Sequence, residues 1–298
     1  MKPQTALATK GEVVEEWIDL RFFRPLGFRL AQALGPTRIS PDLVTIVSLV
    51  VGLVAGHLMV YTNPALNGVG VALFLVSDVF DSADGQLARM RGSSTQFGRI
   101  LDGVADNLRF VNLYLHLLVR LAQAGSGWEA LALAAAAGAS HSFQSAAVDF
   151  IRQAYLYLGV GRSSELDLPE TATRAEPRTL VRRIGAALYD DYVRRQAWLF
   201  PRTVELVRAA GNDIAEPFRG DYRSRSTKRV GHCAWIGHNM RFALLALTAL
   251  PGWPAGFFWL TLGPLNLVLL GLVRGQERAA GAMLHSVAAP ARAHARIA

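Results

Sequence analysis

Asp81, Asp84, Asp102 and Asp106 are the residues of this chain whose type and spacing could do chemistry together. The first pair lies in Asp81-Ser82-Ala83-Asp84-Gly85-Gln86-Leu87-Ala88-Arg89, the second in Gly98-Arg99-Ile100-Leu101-Asp102-Gly103-Val104-Ala105-Asp106. The spacing is helical. Asp81, Asp84, Gly85 and Ala88 fall on one face, and Gly98, Asp102 and Asp106 on another. Two such helices facing each other would converge four carboxylates. Carboxylates beside long apolar runs are costly, and like charges so close cannot all stay ionised without protons or cations. Hard divalent cations with oxygen ligands, Mg²⁺ or Mn²⁺, meet that need.

The elements that must position these residues follow from composition and patterning. The chain has 298 residues, of which 51% are hydrophobic, and a mean hydropathy of +0.24. That is too apolar for an ordinary soluble enzyme. The net charge of +8, spread between apolar segments, favours anionic lipid over nucleic acid. A single cysteine, Cys233, excludes an internal disulfide framework. Residues 1–16 are polar and no cleavable signal peptide is expected. The fold class predicted is all-α: a polytopic membrane bundle of six transmembrane helices, an N-terminal interfacial helix and a cytoplasmic helical insertion. The interfacial helix is expected over 12–35, broken at Pro25, with a soluble amphipathic helix as the alternative. Spans are expected at about 41–61, 66–90, 96–123, 128–154, 231–250 and 254–274. Residues 1–154 thus form a first region carrying the aspartates, 155–230 an insertion, and 231–298 the last two spans with a basic, loosely ordered tail. Within the insertion, helices are expected over 177–198 and 201–211, split by Pro201. Leu180, Ile184, Leu188 and Tyr192 form an apolar stripe there. The insertion reads as a solvated cap on an active-site mouth, or as an element that recruits acceptor or lipid. Lys and Arg fill alternate loops, which puts both ends and the aspartates on the cytoplasmic side of a bacterial-type plasma membrane.

The pattern D-x2-D-G-x2-A-R-x8-G-x3-D-x3-D, matched at Asp81, Asp84, Gly85, Ala88, Arg89, Gly98, Asp102 and Asp106, resembles the signature of the CDP-alcohol phosphatidyltransferases. The resemblance covers about residues 25–152 and, more weakly, the last two apolar segments. It implies a membrane phosphotransferase of phospholipid biosynthesis, in which an alcohol displaces CMP from a CDP-linked donor, either CDP-diacylglycerol or a small CDP-alcohol. It further implies Asp81, Asp84 and Asp102 as metal ligands and Asp106 as general base that also touches a second metal, with two Mg²⁺ or Mn²⁺ ions clamping the reacting oxygens. Gly85, Ala88 and Gly98 would let a nucleotide approach the backbone, or serve close helix packing. Arg89 would hold a phosphate in a forked contact, or snorkel to the interface. Asp78, one turn before Asp81, would assist nucleotide or metal, or be a hydrogen-bonded polar group in the bundle. Gln144, Asp149, Arg152, Asn239 and Arg241 are weaker candidates for an acceptor pocket. His57 and His116 are expected to pack between helices. The partners expected are the donor, the alcohol acceptor and membrane lipids, with a homodimer left open. Two other classes compete: a cation transporter using intramembrane aspartates, and an inactive membrane scaffold.

Overall fold

A computed structural model describes residues 13–93, 95–162, 166–170, 180–211 and 213–294. They are helical, with no strand among the described residues. Among the described residues, three segments are long and apolar enough to cross a membrane: Pro41–Val60, Pro64–Met90 and Pro254–His285. The exposed surface agrees. All six tryptophans are more than half exposed, up to 80% at Trp128. Leu108, Val111, Leu115 and Val119 form an exposed apolar stripe on a helix whose other side buries Arg109 and Arg120. Apolar outside and polar inside is the pattern of a helix in lipid, and the chain is a membrane protein.

The chain forms two compact units. The first comprises Met1–Ser140 and His238–Gly263. It opens with a wide π-type turn, Asp19–Phe23, that runs directly into α1, Arg24–Leu34. Pro25 therefore does not break this helix as expected. It sits in the first turn of α1, and the wide turn before it absorbs the missing N–H. Helix α2, Pro41–His57, is capped by Ser40, whose Oγ accepts the Leu43 N–H, with Pro41 at the first position. Helix α3, Pro64–Met90, starts in the same way from Asn63-Pro64. Helix α4, Gln96–Gln123, follows, capped by Thr95, whose Oγ1 accepts the Gly98 N–H at 2.9 Å. Helix α2 packs against both α3 and α4, so it sets the register of the two motif helices. Its own Gly52 and Gly56, four residues apart, make the groove. A Cβ on Gly52 would lie 2.5 Å from Arg109 Cδ, and one on Gly56 would lie 2.2 Å from Asn112 Nδ2. Between α2 and α4, His57 Nδ1 meets His116 Nε2 at 3.0 Å. Helix α1 crosses α3 at Gly27, where a Cβ would lie 2.8 Å from Ser82 Cβ. Arg91 ties down the α1–α2 loop by donating to the carbonyls of Leu34, Gly35, Thr37 and Ile39.

Helix α5 runs over Trp128–Ala154, and its first half belongs to this unit. The unit closes with α9, His238–Ala249, and α10, Pro254–Leu262. Phe74 stacks on Phe242 with ring centroids 4.9 Å apart, and Tyr114 packs against Phe257 and Phe258. The span expected over 231–250 is not one helix. A 3₁₀ turn, Cys233–Ile236, and Gly237 interrupt it. The 12 residues of α9 reach about 18 Å, short of the roughly 30 Å hydrocarbon layer.

The second unit comprises His141–Gly237 and Pro264–Ala298. The end of α5 widens into a π-type segment, Tyr155–Val160. The two expected insertion helices are found as α6, Leu180–Leu199, and α7, Pro201–Ala210. A third, α8, spans Glu216–His232 and was not legible from composition. Its buried residues, Tyr222, Ser226 and Val230, recur every four positions among charged neighbours. Helix α11, Pro264–His294, packs on α7 and α8. Glu277 caps α7, accepting the backbone N–H groups of Arg202 at 2.8 Å and Thr203 at 3.0 Å. The Tyr192 hydroxyl donates to Asp149. Burial, and then that carboxylate, hold its phenol well above the ordinary tyrosine value. Of the expected apolar stripe, Leu188 is 57% exposed. The side chains of Leu180 and Ile184 lie outside the described residues.

Candidate active site

Asp81 and Asp84 stand in the last turns of α3, and Asp102 and Asp106 in the first turns of α4. The structure gathers three of them. Carboxylate oxygens of Asp81, Asp84 and Asp102 all lie within 4.8 Å of one another. Octahedral Mg²⁺ at about 2.1 Å from each ligand places neighbouring oxygens about 3 Å apart and opposite ones about 4 Å apart. A small side-chain rotation closes that difference, and an all-carboxylate donor set suits a hard cation. Asp84 is buried, and its Oδ2 accepts a hydrogen bond from Thr45 Oγ1 of α2 at 2.5 Å. That bond fixes the carboxylate from behind.

Asp106 is held differently. Its Oδ1 is paired with Arg109, one turn further along α4. The Arg109 guanidinium also reaches Asp81 Oδ1 at 3.1 Å, Asp78 Oδ1 at 3.3 Å and Ser77 Oγ at 2.7 Å. Sequence reasoning did not single out Arg109. Its only local signal is its place one turn after Asp106 and two turns after Asp102, on the same helical face. Asp78 is a buried member of this network. Besides Arg109 it meets His238 Nε2 of α9 at 3.0 Å, so it is a hydrogen-bonded group of the bundle next to the aspartates.

The small residues separate clearly. A Cβ on Gly85 would meet nothing nearer than the tip of Arg89, at 3.4 Å. Among the described residues, no atom of a neighbouring helix lies within 4 Å of that position. Ala88 and Arg89 follow on α3, both half-buried. Gly98 faces Thr95 Oγ1 at 3.3 Å and Asp42 Oδ1 at 3.5 Å from its Cβ position, a tight corner at the start of α4. Among the weaker candidates, Asn239 donates to Glu16 at 2.7 Å and to Asp19 at 2.9 Å, which joins the N-terminal segment to α9. Arg241 is 2% exposed in the first unit. Gln144, Asp149 and Arg152 belong to the second unit, where Gln144 donates to Asn266 and Asp149 accepts from Tyr192.

Comparison with known proteins adds a family. Residues 38–164 match the model of the CDP-alcohol phosphatidyltransferase family. A phosphatidylinositol phosphate synthase of Mycobacteroides abscessus is 38% identical over 79 residues, covering 26% of this chain and 35% of the relative. One from Mycobacterium marinum is 39% identical over 80 residues, covering 26% and 33%. A putative cardiolipin synthase of Mycobacterium tuberculosis is 33% identical over 73 residues, covering 24% and 34%. The chain thus spans about a third of the length of the curated relatives it matches.

Proposed function

We propose, from the premise that residues 38–164 are a CDP-alcohol phosphatidyltransferase domain, that this chain is a metal-dependent phosphotransferase of phospholipid synthesis. An acceptor hydroxyl attacks a phosphorus of a CDP-linked donor. The new P–O bond forms as the bond to CMP breaks, the hydroxyl proton goes to a carboxylate, and CMP leaves. The observation that carries this reading is the triad Asp81, Asp84 and Asp102, gathered within 4.8 Å beside the open face of Gly85.

The triad would hold Mg²⁺ or Mn²⁺, with Thr45 orienting Asp84. When bound, such an ion neutralises phosphate charge and makes a nearby hydroxyl more acidic. Asp106 is the proton acceptor. Arg109 holds its Oδ1, which leaves Oδ2 to face the acceptor hydroxyl. Gly85 and Ala88 let the donor nucleotide lie against the backbone of α3, and Arg89 pairs with its phosphates. The site faces the cytoplasm of a plasma membrane, in keeping with the Lys- and Arg-rich loops on that side. A donor–acceptor screen of the full chain in proteoliposomes, with CDP-diacylglycerol and small CDP-alcohols as donors and the lipid product read by mass spectrometry, tests the proposal. One pair giving a phosphodiester lipid together with CMP is the expected result. No product from either donor class, with protein that binds Mn²⁺, would overturn it.

A further inference from the structure

We infer that His57 of α2 and His116 of α4 form a binding site for one divalent transition-metal ion, separate from the aspartates. Their facing nitrogens, His57 Nδ1 and His116 Nε2, lie 3.0 Å apart. Two imidazole nitrogens on one ion, each at about 2.0–2.1 Å, stand about 2.9 Å apart as neighbours in a tetragonal site and about 3.3 Å apart in a tetrahedral one. The observed spacing already falls between those two values.

The outer nitrogens are supported as metal-bound histidines require. His116 Nδ1 donates to the carbonyl oxygen of Asn112, one turn back on α4, at 2.8 Å. A carbonyl only accepts, so this nitrogen carries the proton, and the neutral ring presents the lone pair of Nε2 to His57. A backbone carbonyl behind the ring fixes both tautomer and orientation in this way at metal sites. On the other side, His57 Nε2 lies 3.5 Å from the Tyr61 hydroxyl, a group that both donates and accepts. With no ion between the rings, His57 Nδ1–H donates to His116. With one, the proton sits on His57 Nε2 and is donated to Tyr61, and Nδ1 turns its lone pair to the ion. No partner is displaced, and the ring stays neutral.

The fold brings the two rings together. Gly56 precedes His57, and a Cβ there would lie 2.2 Å from Asn112 Nδ2. That same amide donates to the Leu53 carbonyl oxygen at 2.9 Å. Asn112 thus ties α4 to α2 with its side chain and aims His116 with its backbone. Arg120, on the next turn of α4, is engaged by Asn67 Oδ1 at 2.8 Å. His57 and Tyr61 are exposed at the end of the Pro41–Val60 segment, so water can complete the coordination. Thr45, which bonds Asp84, lies about 18 Å back along the axis of α2, and the two sites share no residue. Imidazole ligands favour Cu²⁺, Ni²⁺ or Zn²⁺, where the carboxylates favour Mg²⁺ or Mn²⁺.

Cu²⁺ titration of the full chain in nanodiscs, in excess Mg²⁺ and followed by electron paramagnetic resonance, tests this without turnover. The first Cu²⁺ bound by the wild type should show hyperfine coupling to two imidazole nitrogens. His57→Gln and His116→Gln each remove a ligand. Each should weaken that binding by more than the roughly 10–100-fold that loss of an outer partner costs, and should abolish the two-nitrogen pattern. A nitroxide on Thr62→Cys, exposed just beyond the end of α2, should be broadened by the bound ion. One on Ser93→Cys, beyond the other end of α3 and about 40 Å away, should not. A wild type without nitrogen-coupled Cu²⁺, or a two-nitrogen signal that survives unchanged in monodisperse His116→Gln protein, would overturn the inference and leave the carboxylate site standing. Should both variants fail to fold, the labels decide: a first Cu²⁺ that leaves the Thr62 nitroxide sharp would overturn it.

Discussion

Gly85→Ala separates the two roles a small residue can have on a membrane helix. In the structure an added Cβ meets only the end of the Arg89 side chain, at 3.4 Å, an ordinary contact. No clash follows. Alanine is a better helix former than glycine by about 1 kcal/mol, so the variant should be as stable as the parent or slightly more so, with a rise in Tm of about 2 °C at this chain length. The same methyl projects beside Asp81 and Asp84, where the proposed nucleotide must reach the backbone. Forcing the nucleotide back should weaken CDP binding by about tenfold or more, which is about 1.4 kcal/mol. Gly27→Ala is the contrasting control. Its Cβ would lie 2.8 Å from Ser82 Cβ and 3.0 Å from the Ala83 backbone nitrogen, and overpacking of that kind costs about 1–3 kcal/mol. Stability falls there and not at Gly85. Thermal unfolding and CDP calorimetry on both proteins check the contrast. A stable Gly85→Ala protein that binds CDP as the parent does would refute the assignment of this face to the nucleotide.

Asp106→Asn should lower turnover by about 10²–10⁴, the usual loss for a general base, while Mn²⁺ uptake at the triad stays within about threefold. Activity within tenfold of the parent would remove Asp106 from that role. Chelation should stop turnover and Mg²⁺ or Mn²⁺ should restore it, and Asp84→Ala should weaken metal uptake together with rate; full activity in excess chelator would contradict the metal site. Cysteines at Thr62 and Pro251, both exposed, should react with an impermeant thiol reagent from outside intact cells, and one at exposed Ser93 should not. Cys233 is fully buried and should stay silent in that experiment. Outward labelling of Ser93→Cys would invert the topology.

The parts of this protein that were legible in its sequence are those set by short-range periodicity. Asp81 and Asp84 lie on one helix and Asp102 on the next, at spacings that point each set to one face, and the structure joins them. The caps at Ser40, Asn63 and Thr95 are local as well, as is the split at Pro201 between α6 and α7. What escaped depends on contacts between distant segments. Arg109 looks like one more arginine until α2 supplies Gly52 and Ser48, and α3 supplies Asp78 and Ser77. Helix α8 is rich in charge and has no apolar stripe strong enough to announce it; it is held by Tyr222, which receives a hydrogen bond from Gln276 at 3.0 Å, and by Arg229, which donates to Gln276 at 2.8 Å. The short α9 escaped because hydropathy averages over the break at Gly237 and reads one long segment where there are two. Pro25 was misread because a proline in a first turn and a proline that breaks a helix look alike until the preceding turn is seen.

Stoichiometric release of CMP tests the central claim most directly. The full chain, reconstituted with Mg²⁺, a CDP-linked donor and an alcohol acceptor, should release about one CMP for each phosphodiester lipid formed, and an Asp84→Ala protein should release none above background. CMP formation that proceeds unchanged in Asp84→Ala, or lipid product without CMP, would contradict the account. A wild type that moves cations across the bilayer while leaving every CDP donor intact would assign these carboxylates to transport instead.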